Sequence, residues 1–397
     1  MENFLCFQPQ YVNEFFCDGS NCDAHCCKGW NIFIDKETYT RYSKLGANIT
    51  AHMKPHEDND DYLVTLDERG ICPFLNENKL CRLQLEHGED FLSLICRTYP
   101  RQNYHFGKFI ERSLTLTCPL AAELILFRRE PMQFELTTLP QENIAFAKLK
   151  VPEKFFDRMI DIQIAMISIL QERTLSIGQR LIVLGFFLDK LEEISAGSID
   201  DDKLTKLIAA YESKNFLAEQ VPQMLASVRF NVKKFIGMML KIFNDIFGNL
   251  NIGDNHRRLD AVIDTLKIKP DENNSVSVAT VAANYEQLAD TRKNFLAQYS
   301  TLLENYLVNE IFLNCYPWRF TETIANNFIV LLTTYKIFEL LLFAAVQSGF
   351  DAKDDLLTLI EWFTTQTDHN GELQRRIFNH CQNHGDIFTL MESLIEQ

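Results

Sequence analysis

Hydrophobic and polar positions along the chain change rhythm near residue 143. Beyond it, apolar residues recur at steps of three and four. Phe155, Met159, Ile162, Met166, Ile169 and Leu170 share one face of a helix expected over 155–173. The same spacing predicts helices over 181–194, 216–247, 285–312, 322–347 and roughly 354–366, with a polar tail after Asn370 and a loop at 269–280. Before residue 130 the pattern is broken into short apolar pieces between polar turns. Two of them, NIFID (31–35) and DYLVTL (61–66), have strand-like length. The expected fold is therefore mainly α: a small irregular cysteine-rich metal-binding domain over 1–130, followed by a large all-α helical domain over 131–397.

Composition narrows the function classes. Of 397 residues, 46% are hydrophobic and 23% charged, which excludes a disordered chain, and only 15 Gly and 11 Pro argue against a many-turned all-β protein. With 39 basic and 54 acidic residues the net charge is −15, the wrong sign for a nucleic-acid binder and a better match to a basic, lysine-bearing protein partner. The apolar run 328–346 is nearly long enough to cross a bilayer, but Lys336 and Glu339 sit in its middle. It reads as a buried core helix, so no membrane partner is expected.

The cysteines are unevenly placed. Nine of eleven fall within residues 1–118, where an even spread would put about three. The opening MENFLCFQPQYVNEFFC has neither the basic start nor the apolar run of a secretory signal, so a reducing, cytoplasmic setting and metal thiolates are expected rather than disulfides. The candidate ligands are Cys17, Cys22, Cys26, Cys27, Cys72, Cys81, Cys96 and Cys118. No pair has the two-residue spacing of a zinc knuckle, and two prolines directly follow cysteines (Pro73, Pro119), a pattern seen beside iron–sulfur ligands. An iron–sulfur cluster is thus favoured, with zinc as the alternative. The next cysteine after Cys22-x3-Cys26 is Cys27, so the spacing of a radical adenosylmethionine enzyme is not met. A glycine-rich dinucleotide loop and a P-loop are likewise missing.

The run FFCDGSNCDAHCCKGWNIFIDKETYTRY, followed by GICPFL, LCRL, LSLICRTYPR and LTLTCPLAAELIL, resembles the bacterial flagellin lysine-N-methylases. ENYLVNEIFLNCYPW (304–318) and the helix around 328–346 resemble the family's C-terminal half. The resemblance implies methyl transfer from S-adenosylmethionine to lysine ε-amines of flagellin, and a 4Fe–4S iron–sulfur cluster in the cysteine region.

Such a transfer needs a neutral amine, although lysine is mostly protonated near its ordinary pKa of about 10.4, and a sulfonium favours aromatic faces or carboxylates. Candidate catalytic residues are Tyr99, Tyr306 and Asp35, with Tyr104, Tyr316 and Glu310 of the same chemistry. Arg97, Arg101 and Trp318 are candidates for holding the methyl donor. Each has a plainer role available. Asp35 can cap the helix that begins KETYTRY, Tyr306 can be core, and the arginines can offset thiolate charge. The competing function is a non-enzymatic iron–sulfur or zinc protein whose helical domain docks a partner.

Overall fold

The computed structural model describes residues 3–17, 19, 22, 25–29, 31–57, 60–140, 147–148, 151–195, 200–244, 256–272, 275–319, 321, 323–369, 372–381 and 387–396. Trp30 lies outside them. The chain forms two compact units. Met1–Leu124 with Gln133–Lys148 makes one, and Ile125–Met132 with Leu149–Gln397 the other. The fold is mainly α, as the helical spacing predicts.

The first unit is more regular than its broken sequence pattern suggests. Its larger sheet contains β1 (Asn3–Pro9), β5 (Arg101–Phe106), β6 (Phe109–Leu114), β7 (Phe134–Pro140) and β8 (Ala147–Lys148) in the order β7-β1-β6-β5-β8. β5 and β6 form a hairpin across Gly107, whose φ of +53° suits glycine at a tight turn. β1 runs antiparallel to β7 through seven paired residues, from Asn3↔Pro140 to Pro9↔Phe134. The smaller sheet, β2-β4-β3, contains β2 (Phe33–Ile34), β3 (Met53–Pro55) and β4 (Tyr62–Val64). The two strand-like pieces at 31–35 and 61–66 are thus β2 and β4, paired with each other. A separate small core gathers on this sheet from Ile32, Ile34, Tyr42, Val64, Phe74 and Leu83, and the partly buried Cys27, Cys81 and Cys96 pack against it.

The second unit is helical. The expected 155–173 and 181–194 helices are Met159–Leu170 and Ile177–Ser195. The single helix expected over 216–247 is instead two, Lys214–Ser227 and Val232–Ile242. The Asn231 side chain accepts from Lys234 N and starts a new helix, while its residues 245–247 fall outside the described set. The expected 285–312 helix divides at Leu288 into Val278–Gln287 and Ala289–Leu313. The polar tail expected after Asn370 is helical at Glu372–Cys381 and Ile387–Leu394, where Ile387, Leu390, Met391 and Leu394 form a buried stripe.

Ile324–Gln347 is apolar and long enough to cross a membrane, yet it is the central core helix of this unit, buried along most of its length. Its Lys336 pairs with Glu339 one turn on, which offsets the charge that a core helix would otherwise leave uncompensated. Another buried polar device fixes residues 125–132. The fully buried Asn305 side chain donates to Arg128 O at 2.8 Å and Leu126 O at 3.3 Å.

Candidate metal centre

Four short segments of the first unit bring cysteines together. Cys26 and Cys27 lie in a 3-10 turn, His25–Cys27. Just after it, Lys28 and Ile71 form an antiparallel bridge, with Gly29 N–H donating to Gly70 O at 2.9 Å and Cys72 N–H to Cys27 O at 2.8 Å. Gly29 (φ +75°) and Gly70 (φ +73°) make this crossing in the left-handed region that glycine tolerates. Cys81 pairs with Leu75 and precedes the Arg82–His87 helix. Cys96 sits in the Leu94–Thr98 helix, capped by Ser93. The Ser93 N–H donates to the buried Tyr42 hydroxyl at 3.0 Å, tying that segment to the small core.

The result is a cavity of about 70 Å³, lined by the five cysteines Cys26, Cys27, Cys72, Cys81 and Cys96 and walled by Ile32, Ile34, Tyr42, Phe74 and Tyr99. That space takes several water-sized atoms. The Cys26 and Cys27 sulfurs are 3.9 Å apart. Hydrogen bonds from Cys26 and Cys72, then burial, drive the Cys27 thiol far up. Its bond to Cys27 draws the Cys72 thiol down. Burial raises Cys81 and pushes Cys96 up to about 12. The pocket therefore resists holding several thiolates at once unless a cation neutralises them.

The donor set fits a soft metal, since it offers sulfur ligands around an apolar-walled space. Among the described residues, no three His, Cys, Asp or Glu side chains are arranged to hold a single metal ion.

Five of the eight expected ligands line this cavity, and three do not. Cys118 is buried ahead of the Pro119–Leu126 helix, its thiol pushed up to about 12 by burial first and then by the charges of Cys22 and Cys17 nearby. Cys17 is exposed and Cys22 half-buried.

The other candidates are dispersed. Asp35 spends both oxygens on a helix cap, accepting from Thr38 N and Thr38 Oγ1 at 2.7 Å each. Tyr99 lines the cysteine cavity, and its hydroxyl lies 3.0 Å from Thr117 Oγ1. Arg97 is 3.6 Å from the exposed Asp90, and Arg101 lies over the Phe15 ring at 5.3 Å. In the second unit, Tyr306 is fully buried and stacks on Phe338 at 4.1 Å, while Trp318 packs on Phe155 at 4.0 Å. The apolar wall of the cysteine cavity, Tyr42 and Phe74 included, escaped the sequence reading. Only the alternation at 31–34 and 62–64 hinted at it.

Residues 163–395 match the model of the FliB lysine N-methylase C-terminal domain. A protein of Salmonella typhimurium named Lysine-N-methylase is 24% identical over 96% of each chain, and its counterpart in Salmonella choleraesuis is 25% identical over the same share. A flagellar biosynthetic protein of Salmonella muenchen, FliU, is 30% identical over 40% of this chain and 95% of its own. No solved structure matches. With more than half of its length under that domain model, the chain belongs to the FliB lysine N-methylase family.

Proposed function

We propose that the protein is a lysine N-methylase that moves a methyl group from S-adenosylmethionine to lysine ε-amines of flagellin. The observation carrying this reading is the end-to-end likeness to relatives named Lysine-N-methylase, which spans both units. The reaction is a displacement. The neutral amine forms an N–C bond as the methyl–sulfur bond breaks, S-adenosylhomocysteine leaves as a neutral thioether, and the methylated ammonium loses a proton to water. The chain's acidic balance, −15, favours approach of a basic protein surface.

We further propose that Cys26, Cys27, Cys72, Cys81 and Cys96 supply the ligands of a 4Fe–4S cluster. Once bound, it would supply positive charge that neutralises the thiolates and cross-links the segments around residues 26, 72, 81 and 96. The wall residues Ile32, Ile34 and Phe74 exclude water there. Thiolate ligands are kept reduced in the cytoplasm, where we place the reaction.

The test uses anaerobically purified protein, its iron, sulfide and zinc content, and mass spectrometry of flagellin incubated with methyl-labelled S-adenosylmethionine. Labelled methyl groups on flagellin lysines support the reading. A chain that binds metal but transfers no methyl to any lysine-bearing protein supports the non-enzymatic alternative. Zinc without iron removes the cluster and leaves the methylase reading standing.

A further inference from the structure

Five thiols line the cysteine cavity, but a 4Fe–4S cluster takes one protein ligand on each of its four irons, so one thiol is left over. The backbone places the surplus one. The Lys28↔Ile71 bridge is antiparallel, and the bonds flanking it, Gly29 N–H to Gly70 O and Cys72 N–H to Cys27 O, keep the same register. Cys27 and Cys72 therefore stand directly opposite each other, with side chains on one face and Cβ atoms about 4.5–5.5 Å apart. Their thiols hydrogen-bond. On its other side the Cys27 sulfur lies 3.9 Å from that of Cys26.

Cys27 is thus wedged between two sulfurs. Thiolates on a cubane cluster surround it from four corners, so they stand farther apart than the about 3.8 Å between two thiolates on one tetrahedral metal. At 3.9 Å, Cys26 and Cys27 are too close to take two corners, and the hydrogen-bonded Cys27 and Cys72 are close in the same way. Leaving out Cys27 relieves both contacts, whereas leaving out Cys26 or Cys72 relieves one. Three of the other sulfurs also accept hydrogen bonds from outside the thiol group. Phe74 N–H donates to Cys72, the Leu83 and Gln84 N–H groups donate to Cys81, and the Ser93 hydroxyl donates to Cys96. Donors of this kind favour a thiolate. The hydrogen bonds of the Cys27 sulfur run to sulfurs.

We infer that Cys26, Cys72, Cys81 and Cys96 are the four cluster ligands and that Cys27 is a positioning residue, donating its S–H to the Cys26 or Cys72 sulfur. The inference rests on the cluster reading above. A donor on a ligand sulfur draws charge away from the cluster and favours its reduced form, so Cys27 raises the reduction potential.

The experiment uses the full chain, purified without air, with circular dichroism to show that each variant is folded. It measures iron and sulfide per chain, the electron paramagnetic resonance spectrum of the reduced protein, and the midpoint potential by mediated titration. Cys27→Ala is expected to keep the wild-type iron and sulfide and to shift the potential to a more negative value. Cys27→Ser, whose hydroxyl restores a donor, is expected to bring the potential back toward wild type. Cys26→Ala is expected to lower iron by about twofold or more.

Iron lost from folded Cys27→Ala, or kept in folded Cys26→Ala, overturns the ligand assignment. An unchanged potential in Cys27→Ala overturns the donor role. If Cys27→Ala does not fold, the iron content and reduced-state spectrum of Cys27→Ser decide, and a changed spectrum with lost iron overturns the assignment. Zinc without iron in the wild-type chain overturns the cluster reading itself, whereas wild-type iron with failure of the variants overturns only the inference.

Discussion

Removing the Glu304 carboxylate takes the shared partner from two guanidinium groups and strands the buried one, Arg180. Glu304 is 1% exposed and accepts from Arg173 Nε and Nη2 and from Arg180 Nη1, all within 3.1 Å. Burial already presses the Arg180 pKa down, and the Glu304 charge is what opposes it. With Glu304→Ala, the Arg180 side chain, 5% exposed, keeps only its backbone partners Leu170 O and Leu175 O. Leaving a buried charge uncompensated in this way costs about 3–5 kcal/mol. For a helical unit of this size that is a fall in Tm of roughly 6–20 °C.

Arg173→Ala removes the partner on the solvent side, 37% exposed, and leaves the buried pair whole, so its cost is expected to be about 1 kcal/mol or less. The double variant Arg180→Met, Glu304→Leu replaces the buried pair by apolar groups and should recover most of the single-variant loss. Thermal unfolding followed by far-ultraviolet circular dichroism reads all three. Equal shifts for Glu304→Ala and Arg173→Ala, or a double variant no better than Glu304→Ala, would refute the reasoning.

Further outcomes are expected. Cys81→Ser or Cys96→Ser lowers iron per chain, whereas Cys6→Ser in the β1 strand does not, as measured by metal analysis. Exposing the purified protein to air lowers activity as iron is lost, and full activity in a folded, metal-free preparation would show the centre to be dispensable. In metal-free protein, Cys96 and Cys118 resist alkylation at pH 8 because burial pushes both thiols up to about 12. Their thiolate fraction grows only as pH climbs toward that value, and peptide mass spectrometry tracks it. Gly178→Ala lowers Tm, because a Cβ there would stand 2.0 Å from the Glu396 carbonyl oxygen and force the C-terminal chain away. Asp35→Ala costs about 1 kcal/mol through loss of its cap, seen as a lower denaturation midpoint of the first unit.

The helices of the second unit could be read from the chain because each announces itself locally. Phe155 to Leu170 repeats its apolar step within one element, whereas the Asn231 cap breaks the chain at 231 without a change in apolar step, and the break at Leu288 has no side-chain cap to announce it. The tail at 387–394 was missed because its stripe is one short helix among polar residues. The larger sheet was illegible for a different reason, since β1 finds β6 and β7 more than a hundred residues on, and no local pattern states that pairing. The cysteines were legible as a group but not as a set. Spacing treats Cys17 and Cys26 alike, whereas the Gly29–Gly70 crossing selects Cys26 and Cys27 for the cavity.

The seven-residue pairing of β1 with β7 also sets a timetable. During synthesis the residues of β1 leave the ribosome about 130 residues before those of β7, a delay of roughly 6–26 s at ordinary elongation rates. Throughout that interval the newborn strand NFLCFQP has neither neighbour and exposes a row of unpaired peptide groups. Part of the second unit, 125–132, must also be made before the first can close. The two units are therefore interleaved in time as well as along the chain, and the cysteine segments are all translated before the sheet beside them is complete.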